Sequence, residues 1–330
     1  MIYIDLIINK LQSHGGISVY FNELTSRLSK ENIKVTFLNE KNDKTSIFER
    51  PLKWLERYRS VKINSKKGVL HSSYYRVSNN KEIKLVNTVH DFTYEKFIKG
   101  PAKWIHCWQK YRAILRSDIV ICVSQNTAND LFHYCPIEAS KVRVIYNGVS
   151  EIYSPLNLRE RTNEVLFVGA RAGYKNFSLA VEAVAKIPDL SLSIVGGGML
   201  SKNETRLLEH HLPGRYQWLG RLSDNDLNVA YNRAYALLYP SSYEGFGIPI
   251  LEAMRAGCPV IAVNVSSIPE VAGDAAVLTP KADTDLFVDA LKSVASRRES
   301  LMHAGFEQAK LFSWDKCYIE TLQVYKELMQ

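Results

Sequence analysis

Hydrophobic and polar positions along the chain repeat one unit. A short apolar run leads into a polar or glycine-bearing loop, and apolar residues at helical spacing follow. The first run, from Ile2 to Ile8, predicts a strand ending near Asn9. A Gly15-Gly16 loop comes next, then Val19, Phe21, Leu24 and Leu28 at helical spacing. Further strands are expected at 33–38, 68–72, 84–90, 118–124 and 142–145. Ser124 is placed to cap a helix over 127–134. An Asn147-Gly148 turn and a polar stretch, 150–163, interrupt the pattern. It restarts with strands at 164–168, 190–195, 216–219, 236–239, 259–263 and 275–278. Helices are expected at 178–187, from Pro249 to Gly257, and at 283–296. The tail from Phe312 reads as a helix with Trp314, Tyr318, Leu322 and Tyr325 on a packing stripe. Alternating strands and helices imply an α/β chain with parallel sheets. A length of 330 residues exceeds what one core usually holds. Two domains are therefore expected, 1–150 and 151–311, with 312–330 as a terminal helix.

Composition narrows the class. At 46% hydrophobic and 23% charged the chain is ordinary globular material, and no apolar run approaches a membrane span of about 20 residues. The apolar start is too short for a secretory signal, which predicts a cytoplasmic protein. The five cysteines lack any C-x-x-C spacing and read as small core residues in a reducing compartment. The net charge of +8 is uneven: residues 1–150 carry 24 Lys and Arg against 13 Asp and Glu, whereas the remainder carries 18 against 21. Much of the surplus lies in 39–68, including a candidate amphipathic helix over 51–61 with Trp54 and Tyr58, and in 97–116. Basic residues beside aromatics suit an anionic membrane surface, at the inner face of the cytoplasmic membrane; a plain solvated face is the alternative. No zinc-finger spacing, RNP-like string or basic zipper is present, so no nucleic-acid partner is expected.

The candidate chemistry lies on strand-to-helix turns. In the densest stretch, 238–273, Glu244 and Glu252 flank Gly245-Phe246-Gly247-Ile248-Pro249. A carboxylate accepts at both oxygens and so suits a vicinal diol, while the glycines let backbone amides approach a ligand. Solvated or helix-start carboxylates are the plain alternative. A second turn holds Gly169, Arg171, Gly173 and Lys175, two cations suited to phosphate. Gly15-Gly16 is either a phosphate-cradling loop or an ordinary turn. His90-Asp91 closes a strand, where sheet enzymes place chemistry. In the Asp224-x-Asp226 pair Ser223 or Asp224 reads as a helix N-cap with acidic residues in the first turn, Asp283-x-Asp285 reads the same way, and no metal site is expected.

The run E-G-F-G-I-P-I-L-E-A-M, then A-G-C-P-V-I-A, then I-P-E-V-A-G-D-A-A resembles the donor-binding region of retaining glycosyltransferases of family 4. The likeness extends over nearly the whole chain. It implies the GT-B fold, in which two Rossmann-like doubly wound domains face a central cleft and a C-terminal helix crosses back to the first domain. It also implies a nucleotide-diphosphate sugar as donor, transferred with retention and without metal. By this resemblance Gly16, Arg171 and Lys175 hold the diphosphate and Glu252 the ribose. Glu244 meets the sugar, with Gly245, Phe246, Gly247 and Ile248 lining the donor, and His90 lies near the sugar and acceptor. Arg171 and Lys175 are closer together than in commoner members. The string Arg-Ala-Gly-Tyr-Lys-Asn-Phe is similar to mannosyl- and deoxyhexosyl-transferases of O-antigen pathways, which tips the donor towards a GDP-sugar, and the basic, aromatic first domain points to a lipid-linked glycan as acceptor, as in surface polysaccharide assembly. A sugar-nucleotide epimerase of the same fold and a non-catalytic partner subunit are the alternatives.

Overall fold

A computed structural model describes residues 1–12, 15–30, 33–38, 56–157 and 161–330, and at 53–55 the backbone alone. The basic stretch 39–52 lies outside the described residues. Of the helix expected over 51–61, a 3-10 segment at Lys53–Tyr58 is described.

The first elements are β1 (Ile2–Asp5), α1 (Ile8–Leu11), α2 (Gly16–Leu28), β2 (Val35–Leu38), β3 (Gly68–Ser72) and β4 (Ile83–Val89). Next come α3 (Thr93–Phe97), α4 (Pro101–Arg116), β5 (Ile119–Cys122), α5 (Gln125–Tyr134) and β6 (Val142–Val144). The chain continues with β7 (Glu164–Val168), α6 (Phe177–Ala185), β8 (Ser191–Val195), α7 (Lys202–His211), β9 (Tyr216–Gly220) and α8 (Asp224–Arg233). It closes with β10 (Ala236–Tyr239), α9 (Ile248–Arg255), β11 (Val260–Val263), α10 (Ile268–Ala272), β12 (Val277–Thr279), α11 (Thr284–Lys310) and α12 (Trp314–Met329).

These elements form two compact units, Met1–Asn147 with Trp314–Gln330, and Gly148–Ser313. Each is built on a six-stranded parallel sheet. In the first the order is β2-β1-β3-β4-β5-β6. In the second it is β12-β11-β10-β7-β8-β9, so the direction of winding reverses between β7 and β10. Ligands of open parallel sheets bind outside the carboxyl ends of the strands at such a reversal.

In the first unit α12 supplies part of the core. Trp314, Tyr318, Leu322 and Tyr325 are all buried. The Tyr325 hydroxyl lies 2.5 Å from His71 Nδ1, and His71 Nε2 lies 2.8 Å from Thr88 Oγ1. Thr88 in turn donates to the Tyr20 hydroxyl at 3.2 Å. Burial pushes His71 down to about 3, so its ring is neutral at pH 7.

Three elements differ from the periodicity. The first strand ends at Asp5, and the apolar run continues into a helical turn with Ile7 and Ile8 buried. A short buried run does not distinguish the two conformations. The basic segment 97–116 is broken at Gly100, whose φ is +80°, and α4 begins afresh at Pro101. The helix expected over 283–296 runs on to Lys310, 27 residues in all. The charged cluster that hides its continuation is partly turned inward, because Arg298 donates to the carbonyls of Tyr235 and Ala234.

A buried ion pair fixes the end of β1. Arg76 donates to Asp5 at 3.1 and 3.3 Å, to Glu56 at 3.0 Å and to the Arg59 carbonyl at 2.8 Å. Asp5 is fully buried and the Arg76 side chain is 3% exposed. Removing one partner of such a pair leaves a charge without compensation. Arg76→Met is expected to cost roughly 3–5 kcal/mol in urea denaturation. A loss under about 1 kcal/mol, the scale of an exposed pair, would show that water reaches Asp5.

Candidate functional site

In the second unit the two strands at the winding reversal each lead into a site loop. After β7 the chain turns at Gly169, passes Arg171 and forms a 3-10 turn at Gly173–Lys175. Asn176 follows in the left-handed region (φ +50°), donating to the Pro240 carbonyl at 2.8 Å and to Ser242 Oγ at 2.6 Å. Ser242 N–H returns a bond to the Tyr174 carbonyl at 2.8 Å. These bonds stitch the β7 loop to the loop after β10 and bring Lys175 Nζ into contact with Glu244 Oε1. Both side chains are mostly shielded, at 13% and 11% exposure. Their pairing is a charge-assisted contact at the edge where a ligand is expected.

The Glu244 loop is held from behind. Ser266 Oγ accepts from Glu244 N–H at 2.8 Å and donates to the Glu244 carbonyl at 2.7 Å. Ser267 Oγ reaches the carbonyls of Glu244 and Phe246, both at 2.9 Å. Ser266 takes a φ of +55°, a cost for a residue with a side chain that marks a constrained turn. Phe246 is buried with its ring 5.8 Å from that of Phe312, so this side chain packs and only its backbone can face a ligand. Gly247 (φ +108°) precedes α9, and Ile248 is its partly buried first residue.

Glu252 projects from α9 into a polar cluster. Tyr231 donates to its Oε2 at 3.0 Å, and Tyr153 donates to Asp224 Oδ1 at 3.2 Å. Burial, with the Asp224 charge adding to it, raises Glu252 to about 7; the hydroxyls of Tyr231 and Tyr153 oppose the rise. Glu252 therefore changes charge near neutrality. Donors that prefer its ionised form, such as the hydroxyls of a diol, draw the proton off.

Arg171 does not share a partner with Lys175. Its guanidinium bonds Glu204 Oε1 at 2.7 Å and the carbonyls of Gly196 to Met199 at 2.9–3.2 Å.

In the first unit the structure brings the two remaining sequence motifs together. Gly16 is the first residue of α2, a helix start with neither a side-chain cap nor an acidic residue in its first turn. One turn on, Tyr20 meets His90 edge-on, with centroids 5.3 Å apart. Burial lowers His90 to about 4 and Lys110 adds to this, against Asp91, so the imidazole is neutral. Among the described residues its Nε2 has no hydrogen-bond partner. Asp91 Oδ1 accepts from Thr93 N–H at 2.9 Å, an orienting role. Below the loop Lys110, almost wholly buried, donates to the Asp91 carbonyl at 2.6 Å and pairs with Glu95 at 3.1 Å. Sequence reasoning missed this cation, although it interrupts the stripe Cys107, Lys110, Ile114 on the buried face of α4.

Among the described residues no group of three His, Cys, Asp or Glu side chains is placed to hold a metal ion. Ser223 caps α8 ahead of Asp224 and Asp226, and Asp283 caps α11.

Residues 14–151 match the family model described as Glycosyltransferase Family 4, and residues 150–310 match that of Glycosyl transferases group 1. The chain belongs to the family 4 glycosyltransferases. This glycosyltransferase is 45% identical over 118 residues to O-antigen chain mannosyltransferase B of Escherichia coli, a match covering 35% of this chain and 31% of that one. Over 95% of both chains it is 27% identical to an uncharacterized glycosyltransferase of Methanocaldococcus jannaschii. Its fold is that of sucrose-phosphate synthase from Thermosynechococcus elongatus, with a TM-score of 0.79 at 21% identity over 99% and 98% of the two chains. The fold is thus GT-B.

Because Glu252 holds its proton more tightly folded than unfolded, the folded glycosyltransferase binds more protons between about pH 4.5 and 7. This contribution to stability is complete below the lower value and is lost as pH rises through the upper one. The loss is on the order of 3 kcal/mol over the whole window. Denaturation midpoints across that window are expected to fall with pH in the parent and to flatten in Glu252→Gln. Parallel curves would place the titration elsewhere.

Proposed function

We propose that this glycosyltransferase moves a hexose or deoxyhexose, mannose foremost, from a GDP-sugar to a glycan acceptor, with retention of configuration. The acceptor in this reading is a lipid-linked glycan of a surface polysaccharide of the O-antigen type. The observation that carries the donor assignment is the Lys175–Glu244 contact where the winding of the second sheet reverses. It puts a group suited to a diphosphate beside one suited to sugar hydroxyls. Glu252 then accepts from the ribose. Cleavage of the anomeric bond leaves charge on the diphosphate. Lys175 and the start of α9, both in the second unit, meet that charge. With this counter-charge the reading calls for no metal. The departing phosphate oxygen takes the acceptor proton on the face it leaves, which gives retention. In the first unit His90, neutral and with a ring nitrogen unpartnered among the described residues, is the candidate for positioning acceptor hydroxyls. The mannosyl assignment is supported by the likeness to O-antigen chain mannosyltransferase B.

Transfer from GDP-mannose, compared with UDP-, ADP- and TDP-sugars and with and without EDTA, tests this directly. The expected outcome is an α-linked product from the α-linked donor, insensitive to EDTA. Lys175→Ala and Glu244→Gln should each lower kcat by about 10²-fold or more, the scale for losing one group that stabilises transition-state charge. An inverted product, isomerised donor without acceptor, or loss of activity in EDTA would each overturn part of the reading.

The lipid-linked acceptor is supported by α4. Among the described residues no helix is long and apolar enough to cross a membrane. Yet α4 exposes Trp104 (74%), Trp108 (58%), Ile105 and Leu115 along one side, with Arg112 over the Trp108 ring at 5.6 Å. Lys99, just before α4, and Arg116, its last residue, are exposed. Aromatic bodies with basic rims suit an anionic headgroup layer, here the inner leaflet of the cytoplasmic membrane. Vesicles containing phosphatidylglycerol should bind the protein and blue-shift its tryptophan emission. Salt or the double change Trp104→Ser/Trp108→Ser should reverse this. Equal binding to neutral vesicles would remove the charge argument.

A further inference from the structure

The loop after β8 is Gly196-Gly197-Gly198-Met199, and its three glycines have φ of +82°, +70° and +74°. This is a left-handed turn that side chains resist. One group collects its carbonyls: Arg171 Nη1 donates to Gly196 at 2.9 Å, and Nη2 to Gly197, Gly198 and Met199 at 3.2, 3.0 and 2.9 Å. Arg171 Nε donates to Glu204 Oε1, and the side chain is only 3% exposed. Glu204 sits in the first turn of α7, where its other oxygen accepts from Ser201 N–H at 2.7 Å. The fit is close. A Cβ on Gly197 would lie 2.4 Å from Arg171 Nη1 and 2.9 Å from the Gly169 carbonyl. With the carbonyls engaged, the N–H groups of Gly197, Gly198 and Met199 donate to no protein group among the described residues.

We infer that Arg171 is a positioning residue that braces the Gly196–Met199 loop, with Glu204 as its counter-charge, and does not itself hold the donor diphosphate. A planar fork of five donors can serve four carbonyls and a carboxylate together; an ammonium with three cannot. The brace gathers the carbonyl dipoles on the cation and leaves the amide side of the loop bare at the carboxyl end of β8, next to the strand that carries the Lys175 loop. The loop's free amides would then favour the anionic donor. The inference rests on the proposed donor site, and its sign separates it from a direct phosphate contact.

Glu204→Gln is the deciding variant, read by calorimetric titration with GDP. If Arg171 met the diphosphate, loss of the competing carboxylate would leave GDP binding unchanged or tighten it. If Arg171 braces the loop, binding should weaken by about fivefold or more, and Arg171→Met should add little on top of Glu204→Gln. Glutamine can still accept from Ser201, so the cap of α7 survives. Ser201→Ala is the converse control: it removes the cap's hydroxyl, leaves the brace, and should bind GDP like the parent. Tighter binding in Glu204→Gln, or an equal loss in Ser201→Ala, overturns the inference. Should the parent bind no nucleoside diphosphate, the donor reading fails separately. Backbone amide NMR order parameters at 197–199 then decide: they should fall in Arg171→Met as the carbonyls are released, and unchanged order parameters overturn the brace.

Discussion

The reversal of strand order between β7 and β10 is the constraint on which the donor-site proposal depends. Parallel strands send every departing loop to the same edge, and helices on opposite faces leave a gap where the winding changes direction. The loops carrying Lys175 and Glu244 leave from the two strands that border that gap. Their charges meet because the topology brings the loops together and Asn176, Ser242, Ser266 and Ser267 fix their backbones. The pair is thus a product of the sheet, although its members are 69 residues apart.

The two units manage titratable groups differently. In the second, burial lifts Glu252 into the physiological range and two tyrosines hold it back. In the first, burial drives His71 and His90 far below it, so that both rings serve as neutral hydrogen-bonding groups. The buried Lys110, under the His90 loop, pairs with Glu95 and supports the Asp91 carbonyl. A neutral histidine over a neutralised cation suits positioning of uncharged hydroxyls better than proton transfer at pH 7.

How legible these features were depended on whether their signals are local. The strand, glycine loop and helix between Ala236 and Arg255 could be read from the sequence because Gly247 and Pro249 act on their own neighbours. The caps at Ser124, Ser223 and Asp283 were readable for the same reason. The charged interruption at Arg298 concealed the second half of α11, since its inward turn depends on carbonyls more than 60 residues away. Arg171 shows the same limit: its position identified a cation at a strand end, but its partners come from the next loop and from α7. The serine pair at 266–267 was visible as residues and silent as function, because its meaning lies in the loop it holds.

The residues that close the first unit follow the second unit in the chain. Tyr325, which covers His71, and Trp314, which packs beside Tyr20, are separated from their partners by the whole of the second unit. On a ribosome, which delivers the chain from its beginning, the second unit is complete before α12 exists. Until then the first sheet carries a polar chain from Tyr20 through Thr88 to His71 without its last member. The neighbourhood of His90 is therefore finished only after the whole second unit has been made, so this histidine's setting waits on a helix that synthesis delivers later than its own sheet.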